Sequence, residues 1–494
     1  MKNLLYIISL CGLLTACDLQ EEPYGFYSDD NFYKSETDAE SGLLYAYNAL
    51  TFLEYSRGIF YIGDIPTETM SPKSDEAGDV YQLENWIANR ETEQLQYYFK
   101  YCYIAINRAN TVIDHIQNSS VLSETARRRI LGEAYFLRAW NYFNLVRTFG
   151  IVPVQTKMVA ELSQTTPPMA TSLDQLYDLI LGDLTRADNL LEVNKVFGRA
   201  DKVAAQSLMA KAYLTIASSK EHNVHRYTEM RREPQIMYDS AAYWAGKVVR
   251  DYKNVYDFDT NLRDIYDVDK PTGPEHIFIM PIDRSGTQEG NYSKLPLLFL
   301  PSNNSVPFYI RYGNGDLQRA NGNGWGVFLC NDEFVETQFS TTDKRRTELI
   351  HRDIYDASGN PIVPNQVKGY FSSKYVDPDF IGERTSARPY LIRFSDIALV
   401  YAEAAGPEAG LAYVNRIRER AGVTPLPSGM TTDKFREAVI KERALELAFE
   451  GNRLYDLRRT ASVTTTDIKA AGLSEAEAAY YPIPQREIDL NPNL

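Results

Sequence analysis

Residues 125–150 read TARRRILGEAYFLRAWNYFNLVRTFG. Apolar side chains fall at Ile130, Leu131, Ala134, Tyr135, Phe136, Leu137, Trp140, Phe143 and Leu145, which is too wide for one stripe. A surface helix keeps its apolar residues on one face, so a helix apolar on nearly every side must be sandwiched between neighbours. Leu131-Gly132-x-x-Tyr135 matches the opening of a tetratricopeptide (TPR) unit, a stacked helix pair. The match lapses at Asn144, where that repeat wants Ala.

Working outward, Leu208, Ala210, Ala212 and Tyr213 give a second partial match on a helix over about 201–218, with 238–252 as its partner. Phe394, Ile397, Ala398, Tyr401 and Ala405 form a clean helical stripe. The segment 406–410 then turns the chain, a second helix follows over 411–421, and Gly422 stops it. A further helix is expected over 435–458. Two stretches break the pattern: 55–90, and 254–390 with its Gly, Pro and Asn and short β-like runs such as His276-Ile277-Phe278-Ile279-Met280. Long irregular inserts in a compact chain are usually functional loops. The expected fold is mainly α, a degenerate TPR-like helical repeat carrying a smaller irregular, partly β subdomain.

The chain has 494 residues, with 52 Lys plus Arg against 66 Asp plus Glu, a net charge of −14. Such a surface repels phosphate backbones, so nucleic acid is not an expected partner. Four Cys exclude a disulfide scaffold. The unusual numbers are 35 Tyr and 21 Phe; tyrosine is amphipathic, so the excess points either to rings at binding surfaces or to a Tyr-rich core.

The first residues are an address. Lys2 precedes the apolar run from Leu4 to Leu14, too short to span a bilayer, and Thr15-Ala16-Cys17 follows. Leu14-Thr15-Ala16-Cys17 resembles a bacterial lipobox, so residues 1–16 are expected to be a signal peptide cleaved before a lipidated Cys17. Asp18, Glu21 and Glu22 after it are similar to the surface-export signal of Bacteroidetes lipoproteins, whereas in enteric bacteria an Asp directly after the Cys retains the lipoprotein at the inner membrane. Cys102 and Cys330 would then remain, either paired or as two buried thiols.

Several blocks together resemble the SusD/RagB family of Bacteroidetes outer-membrane lipoproteins. They are Gly132-Glu133-Ala134-x-Phe136-Leu137-Arg138-Ala139 with Phe149-Gly150 and Val152-Pro153; Ile392-Arg393-Phe394-Ser395-Asp396 with Tyr401-Ala402-Glu403-Ala404; Asn415-x-Ile417-Arg418-x-Arg420-Ala421-Gly422; Glu442-Arg443-x-x-Glu446-Leu447; Phe449-Glu450-Gly451-x-Arg453; and Tyr481-Pro482-Ile483-Pro484. The resemblance implies about four TPR-like helix pairs packed on a variable subdomain. It divides the chain into 17–253 with the loop insert 55–90, a variable lobe 254–390, and a C-terminal helical region 391–494. It further implies a lipid-anchored protein of the outer membrane, facing the cell exterior, that captures oligo- or polysaccharide and delivers it to a SusC-like TonB-dependent transporter. No catalysis, cofactor or metal is implied.

Ligand residues of this family lie in variable loops, so they are sought by chemistry. Sugars pack C–H faces on flat rings and hydrogen-bond to amides and charged groups. The first insert offers Tyr61, Tyr81 and Trp86 with Asp64, Asp75 and Asp79. The second offers Tyr292, Phe308, Tyr309, Tyr312 and Trp325 with Asn303, Asn304, Arg311, Asn314 and Asn323. The expected ligand set is Tyr81, Trp86, Tyr309, Tyr312, Asn314, Asn323 and Trp325, with Trp325 on a flexible Gly-rich loop. A RagB-like peptide binder would instead favour charged clamps, a glycosidase would need two facing carboxylates such as Asp79 and Asp332 or Glu333, and a structural lid would tolerate loss of the rings.

Glu442, Glu446 and Glu450 share one helix face, so they do not flank a bond; with Arg443, Arg453, Arg458 and Arg459 they read as a buried ion network. His222-x-x-His225 lies in a polar stretch, and the Asp257, Asp259, Asn261 run lacks the Gly and Glu of an EF-hand loop. No Walker, G-x-S-x-G or H-E-x-x-H motif occurs.

Overall fold

The computed structural model describes residues 32–494 apart from 75–77, 285–292, 363–366, 368 and 383. The signal, the lipobox and Cys17, together with Asp75 and Tyr292, lie outside the described residues. The main helices are α1 (Glu36–Thr51), α2 (Leu53–Gly63), α3 (Asp79–Glu84), α4 (Glu93–Ile116), α5 (Glu124–Phe149), α6 (Leu173–Leu190), α7 (Lys202–Glu221), α8 (Pro234–Asp251), α9 (Leu295–Phe299), α10 (Phe394–Ala405), α11 (Pro407–Arg420), α12 (Thr432–Glu446) and α13 (Arg453–Arg459). They pack largely in chain order: α1 and α5 on α4, α5 on α6, α6 on α7, α7 on α8, α8 on α10, and α10 on α11. This is the mainly α, stacked-pair architecture that the sequence predicts.

α5 is the centre of the stack. Ser123 caps it by accepting the Ala126 N–H at 3.3 Å, and Gly150 ends it at φ +76°. Residues from Ile130 to Val146 are buried around the whole helix, as the apolar pattern demands. Asn144 departs from the TPR pattern for a local reason. Its Nδ2 donates to the Tyr55 hydroxyl of α2 at 3.2 Å, and Trp140 Nε1 donates to the same oxygen at 3.0 Å. Tyr55 in turn donates to Asn141 at 2.9 Å, so this buried polar hub is satisfied.

A second kind of order comes from buried charge. Glu442, Glu446 and Glu450 are buried and paired, as expected, but their partners come from far along the chain. Arg345 and Arg418 hold Glu442 at 2.6 and 2.5 Å. Arg420 holds Glu446 at 2.7 Å, and Arg393 and Lys374 hold Glu450 at 2.8 and 2.7 Å. The arginines close in sequence pair elsewhere: Arg443 with Asp396 and Asp456, Arg459 with Glu403, and Arg453 with Glu68. Arg393, only 1% exposed, joins Glu275 (2.6 Å), Glu446 (3.4 Å) and Glu450, and so clamps the lobe to the helices.

The strands are β1 (Met70–Pro72), β2 (His276–Ile279), β3 (Phe308–Arg311), β4 (Leu317–Ala320), β5 (Phe328–Cys330), β6 (Ile350–His351), β7 (Phe371–Ser372) and β8 (Tyr390–Arg393). Among the described residues they form four two-stranded antiparallel ladders, β1–β5, β2–β8, β3–β4 and β6–β7. Cys102 and Cys330 are two free, buried thiols. No helix of the described residues is long and apolar enough to cross a membrane.

Candidate functional site

The two inserts meet. β1 pairs with β5 in the register Met70↔Cys330 and Pro72↔Phe328, and the Lys73 N–H extends the ladder to the Val327 carbonyl at 3.0 Å. Tyr81 follows on α3, which packs on β1, and Trp325 precedes β5 by three residues. One ladder thus joins the two sequence segments in which ligand rings were expected.

The loop that carries Trp325 is not flexible. Asn323 bridges to Ser302, and the Asn303 N–H donates to the Gly322 carbonyl at 2.9 Å. The Trp325 N–H donates to Leu297 O at 2.6 Å and the Gly326 N–H to Leu300 O at 2.9 Å. A Cβ at Gly322 or Gly324 would collide with the carbonyls of Val306 and Leu300. The glycines therefore serve close backbone approach and correct the reading of a mobile Gly-rich loop. On this pinned backbone the Trp325 ring stands 45% exposed, with the Lys294 ammonium 5.6 Å from its centre.

Asn323 and Asn304 are exposed, and Asn303 is half-buried. Arg319 and Asn321 reach to the carbonyls of Pro378 and Phe380 at 2.9 and 3.4 Å, which brings exposed Asp379 and Ile381 to the same rim. These 378–381 residues were not singled out from sequence; their only signal was a Pro-Asp turn inside a long lobe. Tyr81 is 52% exposed. Tyr309 is half-buried at mid-strand, exchanging backbone hydrogen bonds with Tyr355 at 2.7 and 2.9 Å.

Other expected residues are placed differently. Trp86 is buried against the C-terminal segment: it stacks on Tyr481 at 6.2 Å and its Nε1 donates to Asp467 at 3.3 Å. Tyr61 and Phe308 are core rings. Asp64 is buried and accepts the Gly451 N–H at 2.6 Å; burial pushes its carboxyl up to about 7. Tyr312 is buried under the Arg263 guanidinium (4.5 Å), edge-on to His351, with its hydroxyl on Gln318. Burial raises that hydroxyl to about 12. Asn314 sits in the β3–β4 turn and donates to Asp316 at 2.6 Å. Four-residue strands put that turn about 13 Å from the hairpin end that leads to Trp325. Tyr312 and Asn314 thus belong to a separate polar cleft of about 570 Å³, lined also by Arg263, Asp316, Gln318 and Arg319.

Among the described residues, the titratable groups singled out from sequence have local partners. Asp79 accepts the Gln94 N–H at 3.1 Å, whereas Asp332 accepts the Tyr370 N–H at 3.3 Å and faces Arg352. His276 and His351 are buried, and desolvation holds both imidazoles down at about 4. Asp257 faces Arg416, while Asp259 closes a turn with the Asn261 N–H. His222 Nδ1 lies 2.8 Å from its own helix's Ser218 carbonyl. Among the described residues no three His, Cys, Asp or Glu side chains converge as a metal site.

A stack of helix pairs presenting a rigid aromatic and amide face on a small lobe defines a helical-repeat protein built around a loop-borne surface. Residues 353–494 match the model of the SusD family, and residues 33–214 match the model described as starch-binding associating with outer membrane. The chain belongs to the SusD/RagB family. It is 26% identical to a SusD-like protein of Formosa agariphila over 99% of this chain and 97% of that protein. It is similar to the crystal structure of a SusD homolog from Bacteroides thetaiotaomicron, with a TM-score of 0.76, 20% identity, and coverage of 95% of this chain and 98% of that one. It is also similar to a laminarin-binding SusD-like protein, with a TM-score of 0.73, 23% identity, and coverage of 93% and 98%.

Proposed function

We propose that this protein is a surface nutrient-binding lipoprotein that captures an oligo- or polysaccharide and delivers it to a SusC-like TonB-dependent transporter in the outer membrane. The observation that carries the reading is Trp325: an exposed indole on a backbone held by its own hydrogen bonds, with exposed Asn323 two residues before it. A flat ring fixed before binding loses little freedom when a sugar face stacks on it, and amides beside it match hydroxyls. The laminarin-binding relative and the starch-binding family description support a glycan as the ligand class. Cys17 would carry the lipid, holding the site at the transporter mouth and raising the local ligand concentration there. The role is passive recognition and release, without bond cleavage.

Affinity electrophoresis of residues 18–494 through gels of different polysaccharides tests it. Retardation by one polysaccharide, abolished in Trp325→Ala and weakened in Tyr81→Ala, is the expected result. No retardation, with calorimetric heat from peptides instead, assigns the protein to a peptide-binding branch, and released reducing ends identify a glycosidase. Unchanged uptake on Trp325→Ala in cells, with intact surface display, marks a structural lid.

A further inference from the structure

Arg458, in α13, differs from the arginines around it. Arg443 and Arg459 are neutralised by Asp396, Asp456 and Glu403. Arg458 is 5% exposed and has no carboxylate partner among the described residues. Its Nη1 donates to the carbonyls of Arg147 and Thr148, each at 3.2 Å, while Nε and Nη2 are buried without an acceptor. Its guanidinium lies 4.4 Å from the centre of the Tyr481 ring. Arg147 likewise lacks a carboxylate; it donates to Asn144 at 2.7 Å and lies 4.0 and 3.9 Å over the rings of Phe143 and Tyr455.

Both arginines line a crevice of about 10 Å³ between α5, α7 and α13, closed by Thr215, Ser219, Tyr227 and Tyr480. Arg147 also borders an adjoining space of about 20 Å³ next to Lys211. Around the two spaces five cations, Arg147, Lys211, Arg443, Arg458 and Arg459, meet three carboxylates, Asp396, Glu403 and Asp456. Burial pulls the Arg458 guanidinium below its ordinary value, with only tyrosines beside it to oppose the shift. Surplus buried positive charge with orphaned N–H donors is costly unless something negative answers it. The space is on the order of a single monatomic particle, which excludes phosphate or a carboxylate ligand.

We propose that this crevice is a monovalent-anion site, in which Arg458 donates through Nε and Nη2 and Arg147 supplies the second charge to a chloride-sized ion. A water would satisfy an N–H and leave the charge surplus untouched. The bound ion ties the C-terminal Tyr480 and Tyr481 to α5 and α7, and the crevice shares no residue with the Trp325 loop, so the proposal is independent of the ligand assignment.

The test melts the mature protein in sodium chloride, sodium bromide and sodium gluconate at matched ionic strength, and collects anomalous diffraction from bromide-soaked crystals. Halides should raise Tm over gluconate by about 2 °C, with a bromide peak within hydrogen-bond distance of Arg458 Nε or Nη2. Arg458→Gln should lose both effects and Arg458→Lys should keep part of the Tm increment. Should Arg458→Gln fail to fold, the wild-type halide series and the anomalous map decide alone. Equal melting in all three salts overturns the proposal, as does a water with no anomalous peak. A bromide peak without a Tm increment, meaning binding at crystal concentration only, overturns it as well.

Discussion

Trp140 in the helical stack and Trp325 in the lobe are held in opposite ways. Trp140 is buried between Phe136 and Phe278, and its Nε1 is spent on the Tyr55 hydroxyl. Trp325 offers its ring to solvent, and its backbone makes the contacts instead. The arginines repeat the contrast: Arg393 is enclosed by three glutamates, whereas exposed Arg319 rests on the Pro378 carbonyl with Asp379 at 3.6 Å. Around Trp140 side-chain contacts hold the ring; around Trp325 main-chain hydrogen bonds hold the segment and the ring stays exposed.

The contrast breaks most visibly at the clamp. Arg393→Met takes one cation from Glu275, Glu446 and Glu450, which keep only Arg420 and Lys374 as their closest partners, and should cost about 3–5 kcal/mol in chemical denaturation. A cost near zero would mean that side-chain charge does not order the stack. Trp86→Ala removes a buried ring from Tyr481 and should cost about 3–4 kcal/mol, while the protein that stays folded is retarded by glycan as before. Loss of retardation with full stability would return Trp86 to the ligand face.

Acid should act through the buried imidazoles. His276 and His351 are held at about 4 in the fold and titrate near 6.5 when unfolded, so the unfolded state takes up protons first as pH falls. Their contribution is complete above pH 6.5 and is lost towards pH 4, up to about 3 kcal/mol each. The stability difference between His351→Gln and wild type should therefore move by about 3 kcal/mol in the variant's favour between pH 7 and pH 4; an unchanged difference shows that the fold does not shift the His351 titration. The smallest stability effect belongs to Trp325→Ala, under about 0.5 kcal/mol, together with the loss of glycan retardation. A large destabilisation there would place Trp325 with Trp140, as packing.

The stack was legible because its signals are local. The all-round apolar run of α5, the stripe of α10 and the turn at Gly406 each lie within a few turns of helix. The lobe was legible only in outline, since its ladders are four residues long at most and pair segments as distant as 70–72 and 328–330. Trp86 misled because the residue it donates to, Asp467, is 381 positions away. The burial of Tyr312 was not legible because Arg263 and His351, which cover its ring, come from outside the hairpin that bears it. Gly322 and Gly324 suggested mobility, where backbone from 300–306 in fact requires them. Trp325 itself was read correctly as an exposed ring, for the wrong mechanical reason.

Glycines at 322, 324 and 326 alternate with Asn323 and Trp325. The former are fixed by what the neighbouring chain allows, while the latter hold the loop through their backbone and leave their side chains exposed. Such a segment can exchange its projecting residues one at a time and offer a new chemical surface at each step, with the same main-chain path retained throughout.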